Sequence, residues 1–173
     1  MIIAIDPGPT ESAFVLFDGD KHAMSKRTWK DEAFSKRPNA YVLDMVRVRA
    51  KYGDPHDVLV IEMIASYGMP VGREVFDTCV WSGRFAEAWH FETLRDAVTI
   101  TRPAVKLQIC GSMRAKDGNV RAALIDRFGG KERAIGKKKT PGPLYGVSGD
   151  VWAALAVAVT YAERTAWANR EAA

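Results

Sequence analysis

Met1-Ile2-Ile3-Ala4-Ile5-Asp6-Pro7-Gly8-Pro9-Thr10 opens the chain. Ile2 to Ile5 is a short apolar run, the signature of a strand buried on both faces. It ends in a carboxylate, Asp6, and the Pro-Gly-Pro that follows must stop the strand. Taken alone, Asp6 reads equally well as the opening residue of a turn. The same construction returns at Val58-Leu59-Val60-Ile61-Glu62, another continuous apolar run closed by an acid. If a crossover helix joins the two strands, they lie parallel in one sheet. Asp6 and Glu62 then share the edge at which open α/β sheets bind ligands.

Between these strands, Ser12 to Phe17 reads as a second strand and Asp18-Gly19-Asp20 as a hairpin turn. Lys21 to Thr28 pairs back as a third, edge-like strand guarded by its lysines. Lys30 to Asn39 is polar and lacks a period, which makes it a loop. Tyr41 to Lys51 has helical spacing and ends at Gly53-Asp54-Pro55. After Glu62, a loop with Gly68 and Pro70 leads into a long helix over 71–91, with Phe76, Val80, Phe85 and Trp89 apolar. Gly83 inside it costs about 1 kcal/mol of helix propensity, a cost that close packing against another helix would offset. Val98 to Thr101 is a further strand, ended by Pro103, and Lys116 to Phe128 an amphipathic helix stopped by Gly129-Gly130.

The segment 131–146 carries Lys131, Arg133, Lys137, Lys138 and Lys139 against one acid, Glu132. It reads as a solvated loop or, more sharply, as a mobile arm that contacts phosphates. Ser148-Gly149-Asp150 opens a last helix that runs through Val151 to Val159, with Ser148 suited to the N-cap, and this helix is apolar nearly all round and therefore packs inside the fold. Asp150 in its first turn complements the helix dipole, yet an acid at the head of a buried helix asks for a further reason.

The 173 residues form one domain, 1–173, long enough for a sizeable core. No apolar run approaches the roughly 20 residues that cross a bilayer. Strand-like sequence directly after Met1 leaves no room for a signal peptide, so the expected compartment is the cytosol of a bacterium or a phage-infected cell. Cys79 and Cys110 lack the close spacing of a metal knuckle and read as reduced core thiols, and the three histidines are scattered. A net charge of +4 permits a nucleic-acid partner without requiring one.

Three carboxylates, Asp6, Glu62 and Asp150, thus stand on two strand tips and at the head of a buried helix. Gathered together they repel one another unless a cation resolves the conflict. Hard oxygen ligands suit Mg2+ or Mn2+. Two such ions, about 3.5–4 Å apart, activate water and stabilise the leaving oxygen in phosphodiester hydrolysis.

The order Ile5-Asp6-Pro7-Gly8 to Thr10, then Val60-Ile61-Glu62, then Asp150 ahead of Ala153-Ala154-Leu155-Ala156-Val157-Ala158, resembles the RuvC-type Holliday-junction resolvases within the RNase H-like nucleases. Arg102-Pro103-Ala104-Val105-Lys106, Gly111, Ala115-Lys116 and Val120 resemble that family's proline–valine–lysine segment and the basic helix start after it. The tail from Asp150 is similar to the small phage-encoded members. The resemblance implies an α/β, RNase H-like fold with a five-stranded mixed sheet, antiparallel over its first three strands and flanked by helices. It implies a homodimer built on the helix after Glu62, for which Phe76, Val80 and Trp89 are the expected interface residues, and a Mg2+- or Mn2+-dependent endodeoxyribonuclease of DNA recombination, with two ions per site. The substrate implied is branched DNA, a four-way junction. Asp6, Glu62 and Asp150 would be catalytic and hold metal, while Lys106, Lys116, Arg133, Lys137, Lys138 and Lys139 would contact DNA. Where the family places a second acid one turn beyond the first on the last helix, this chain has Ala153. The alternatives are an RNase H-like nuclease acting on RNA, in a hybrid or a ribosomal precursor, and a non-catalytic nucleic-acid-binding module. An actin-like ATPase lobe also opens with an Asp-x-Gly turn, but such enzymes need two lobes.

Overall fold

The computed structural model describes residues 1–18, 33–65, 68 and 70–171, with side chains up to 166. Its centre is a five-stranded sheet. Strands β1 (Ile2–Asp6), β2 (Glu11–Phe17) and β3 (Phe34–Pro38) are antiparallel. Strands β4 (Val58–Met63) and β5 (Val98–Thr101) run parallel to β1, giving the order β3-β2-β1-β4-β5. The mixed sheet expected from the resemblance is therefore present. Two segments read differently from the sequence. The proposed strand 21–28 and the Gly19-Asp20 part of its turn lie outside the described residues, and the third strand is Phe34–Pro38, inside the segment expected to be a loop. This edge strand buries little, so its sequence carries no apolar run, and an edge tolerates Pro38.

Alternation assigns each face of the sheet. Ile3, Ile5, Phe14, Leu16, Leu59 and Ile61 pack under α1 (Asn39–Tyr52) and α2 (Arg73–Thr93). Ile2, Ala4, Val15, Val60 and Ile100 pack under α6 (Val151–Glu171), α3 (Arg102–Cys110) and α4 (Asp117–Arg127). This is why the strand sequences are apolar throughout. Helix α6 is as buried as its composition requires, with Val151, Trp152 and every residue from Ala154 to Val159 in the core. Helix α3 was not foreseen. Pro103 sits in its first turn, where a missing N–H costs nothing, and Gly111 closes it in the left-handed region. Arg127 Nε donates to Glu163 Oε1 at 2.9 Å and Gln108 Nε2 to Glu163 Oε2 at 3.1 Å, tying α3 and α4 to α6.

Three more expectations need correction. Trp89 is fully buried, because the α2 face carrying Thr78, Ser82, Phe85 and Trp89 is the one that meets the sheet. Gly83 has open space where a Cβ would be, so among the described residues no helix packs closely on it. Cys79 is exposed and only Cys110 is partly covered, so the thiols are not both in the core.

The turn after β1 is pinned by a small polar ring. Gly8 N–H donates to Ser12 Oγ at 3.3 Å, Ser12 Oγ donates to Asn39 Oδ1 at 2.6 Å, and Asn39 Nδ2 donates to Gly8 O at 2.9 Å. A Cβ at Gly8 would run into the Glu11 carbonyl, so only glycine lets the turn close. Ser12 and Asn39 are buried. Asn39→Ala, which leaves the Ser12 hydroxyl and the Gly8 carbonyl without it, should cost about 1–3 kcal/mol in urea unfolding. Wild-type stability in that variant would show that the ring is dispensable.

Candidate metal centre

Register brings the first two acids together. Ile5 pairs with Ile61 across the parallel β1–β4 ladder, so the next residues, Asp6 and Glu62, stand side by side near the ends of their strands on the α6 face. Glu62 is only 6% exposed, and its Oε2 is buried without a hydrogen-bond partner among the described residues. Asp6 is driven from its ordinary 3.8 to about 8. Burial is the largest cause, followed by the Glu62 charge and the hydrogen-bonding approach of the two carboxyl groups. Arg102 opposes the rise and Asp150 adds to it.

Asp150 is exposed and stands immediately before α6, not within its first turn. Its carbonyl accepts from Ala153 and Ala154, so the residue opens the helix. Its carboxylate is bound by Lys36 Nζ at 2.7 Å. Lys36 lies opposite Ala13, and Ala13 opposite Asp6, so the sheet places the lysine in the same row and on the same face as the acids. Asp150 holds the Lys36 ammonium above its ordinary range. On the other side, Arg102 follows the last residue of β5. Its Nη1 lies 3.6 Å from Glu62 Oε1 and its Nη2 3.2 Å from Asp117 Oδ2. Lys106 Nζ takes the other Asp117 oxygen at 3.1 Å. Lys106, then Arg102, keep Asp117 below the usual carboxylate range, against a smaller opposing effect of burial.

The structure thus gathers Asp6 and Glu62 as a pair and brings Asp150 close enough to act on Asp6 by charge. Among the described residues, no three Asp, Glu, His or Cys side chains stand together in a way that could hold one ion. An orphaned buried carboxylate oxygen and a neighbour that resists ionisation are what a hard divalent cation relieves, so the Asp6–Glu62 pair fits Mg2+ or Mn2+. Sequence reasoning missed Lys36, Arg102 and Asp117 as members of the site. Two signals were available: Arg102 directly follows a strand parallel to the acid-tipped ones, and Asp117 heads a helix next to Lys116.

Of the expected DNA-contacting residues, Lys106 is turned inward to Asp117, and Lys116 is exposed at the start of α4. The segment expected to be a loop or a mobile arm has regular structure. It forms α5 (Gly130–Ala134) and a small antiparallel ribbon, β6 (Gly136–Lys137) with β7 (Thr140–Pro141). Ala134 and Leu144 anchor it in the core, while Arg133 and Lys137, Lys138 and Lys139 at the ribbon tip are exposed. A sequence that must both anchor a ribbon and expose its tip has no single period, which hid it.

In the metal-free protein, Asp6 keeps a proton that the unfolded chain gives up between 3.8 and about 8. Stability should therefore fall as pH rises through that window and level off above it. Asp6→Asn should remove that part of the slope. Urea unfolding with a chelator present, from pH 4 to 9, measures it. An equal decline in the variant would place the titration on other groups.

No protein-family profile matches the chain, and no curated protein matches it in sequence. Solved structures do. The chain is similar to the Thermus thermophilus RuvC structure at 16% identity, with a TM-score of 0.59 and 96% of each chain covered. It is similar to T. thermophilus RuvC in complex with Holliday junction substrate at 17% identity and a TM-score of 0.59, over 93% of this chain and 92% of the other. No helix among the described residues is long and apolar enough to cross a membrane. The fold is RuvC-like.

Proposed function

We propose that this chain is a metal-dependent endonuclease that hydrolyses phosphodiester bonds in branched DNA, four-way junctions above all. The observation that carries the reading is the Asp6–Glu62 pair, a half-buried acid beside a buried one near the ends of parallel strands, with one Glu62 oxygen unpartnered among the described residues. The fold likeness to a RuvC solved with a Holliday junction supports the substrate class. Asp6, Glu62 and Asp150 are the acids assigned to Mg2+ or Mn2+, which would promote ionisation of a water and offset charge on the leaving oxygen. Asp6 must lose its proton to serve as a ligand, so metal uptake near neutral pH releases a proton. Asp150 must exchange some of its contact with Lys36 for that role, which leaves the lysine free to meet a phosphate. In the hydrolysis, a water oxygen bonds to phosphorus as the bond to the sugar oxygen breaks, and the departing oxygen takes up a proton. Lys106, Lys116, Arg133 and the ribbon lysines are assigned to backbone phosphates.

Two cuts on opposite arms require two chains, and we assign the dimer contact to α2. Phe76, Val80 and Phe91 are exposed on it, and Val80, Gly83 and Phe91 line a groove of about 580 Å³ against Leu43 of α1. The stripe includes the glycine whose Cβ space is open.

Labelled four-way junction, linear duplex and RNA–DNA hybrid, each incubated with and without Mg2+, test the assignment. Junction nicking that needs metal and disappears in a folded Asp6→Asn variant is expected. Preferential cutting of the hybrid would transfer the chain to the RNA nucleases, and metal-independent binding without cleavage would make it a silent binding module.

Junction affinity should also fall with salt. Replacing Lys137, Lys138 and Lys139 with alanine should reduce the log–log slope by about one unit for each phosphate that is no longer neutralised. An unchanged slope means the ribbon tip only faces solvent. Light scattering at micromolar concentration should give a dimer mass, and Val80→Glu with Phe91→Glu should return it to a monomer. A monomeric wild type with full junction cleavage would refute the dimer.

A further inference from the structure

The third parallel strand tip carries a cation where its neighbours carry acids. Glu62 pairs with Ile100, and Arg102, two residues beyond Ile100 at the start of α3, brings its guanidinium within 3.6 Å of Glu62. Asp117 has one oxygen on Arg102 at 3.2 Å and the other on Lys106 at 3.1 Å. That two-sided hold fixes the guanidinium, whose other nitrogen faces Glu62 at 3.6 Å. Arg102, Glu62, Asp150 and Ala153 line one cavity of about 80 Å³. Ala153 shares the helix face of Asp150, three residues earlier, and contributes only a methyl group to that wall.

The charges of the centre set its capacity for cations. Lys36, Arg102 and Lys106 stand against Asp6, Glu62, Asp117 and Asp150, with Glu74 lining the same cleft as Asp6 and Glu62 and Glu11 acting on Lys36. The Arg102 guanidinium, 3.6 Å from Glu62, already places a positive charge in the cavity lined by Asp150 and Ala153, where it would repel a second divalent ion. A guanidinium is charged at every working pH and matches phosphate oxygens with two donors.

Resting on the metal-dependent nuclease reading, we propose that Arg102 takes the place of a second divalent ion. Each chain binds one metal ion, held by Asp6, Glu62 and Asp150, and Arg102, positioned by Asp117, supplies the remaining positive charge to the scissile phosphate. The missing carboxylate at position 153 and the arginine at position 102 are one adaptation, since a second anion is not needed where no second ion is held.

Counting bound Mn2+ by electron paramagnetic resonance tests this without an activity readout, using folded protein with and without a four-way junction of uncleavable linkages. Wild type should bind one Mn2+ per chain in both states, and so should Arg102→Lys. The double variant Arg102→Gln with Ala153→Asp should bind two. Arg102→Gln alone, at a half-exposed position, should bind its single Mn2+ several-fold more tightly, because a repelling cation has gone. Two ions per wild-type chain on the junction, one ion in the folded double variant, or unchanged affinity in Arg102→Gln would each overturn the role of Arg102. No Mn2+ uptake by wild type at millimolar concentration would instead remove the metal-nuclease reading, and with it this one.

Discussion

Two carboxylates side by side near the ends of neighbouring parallel strands cannot both ionise cheaply inside a protein. Asp6 and Glu62 are in that position because Ile5 pairs with Ile61 and the acids are the next residue on each strand. Burial and mutual repulsion hold a proton on Asp6 up to about pH 8. Every charged neighbour is arranged around that conflict. Arg102 approaches from the next strand tip, and Lys36 draws off the third acid, Asp150. Fold stability gains nothing from the pair, since well-packed apolar residues there would avoid the desolvation altogether. Such a cost is what a hard divalent cation would relieve, which is why the pair suits the metal proposed for it.

The sheet distributes the problem by register. Lys36, Ala13 and Asp6 lie in one row across β3, β2 and β1, and Glu62 with Ile100 continues it across β4 and β5. Directly paired residues share a face, so the charged ends of the row all point toward α6, α3 and α4. Those helices keep fixed positions because Glu163 binds Arg127 and Gln108. The opposite face is apolar and carries α1 and α2, which leaves the outer stripe of α2 available for another molecule. One face therefore carries the charged row and the other an exposed apolar stripe.

Much of this was legible in the sequence where burial dictates residue type. The runs Ile2–Ile5, Val58–Ile61 and Val98–Thr101, the buried last helix, and the acids at 6, 62 and 150 follow from apolar continuity and from its interruption. Pairing order was legible through the resemblance and the crossover between β1 and β4. What stayed hidden was polar. Strand β3 looks like a loop because its edge buries little, and α3 looks like a strand end because Pro103 punctuates both. Trp89 and Phe76 are equivalent in an apolar count of α2, yet only one faces the sheet, and periodicity without a phase cannot choose between them.

The segments that resisted reading are those that hold the counter-charges. Lys36 lies in the strand mistaken for a loop, Arg102 opens the helix that was not foreseen, and Asp117 binds it from the next helix. Apolar patterning reports what the core requires, and these residues answer to the acids instead. Their identities depend on charge balance across elements distant in sequence, which no local window contains. Local rules fail first where a fold departs from them for a purpose. Here that departure is a cation at one strand tip beside acids at two others, and it becomes visible only once the three strands lie side by side.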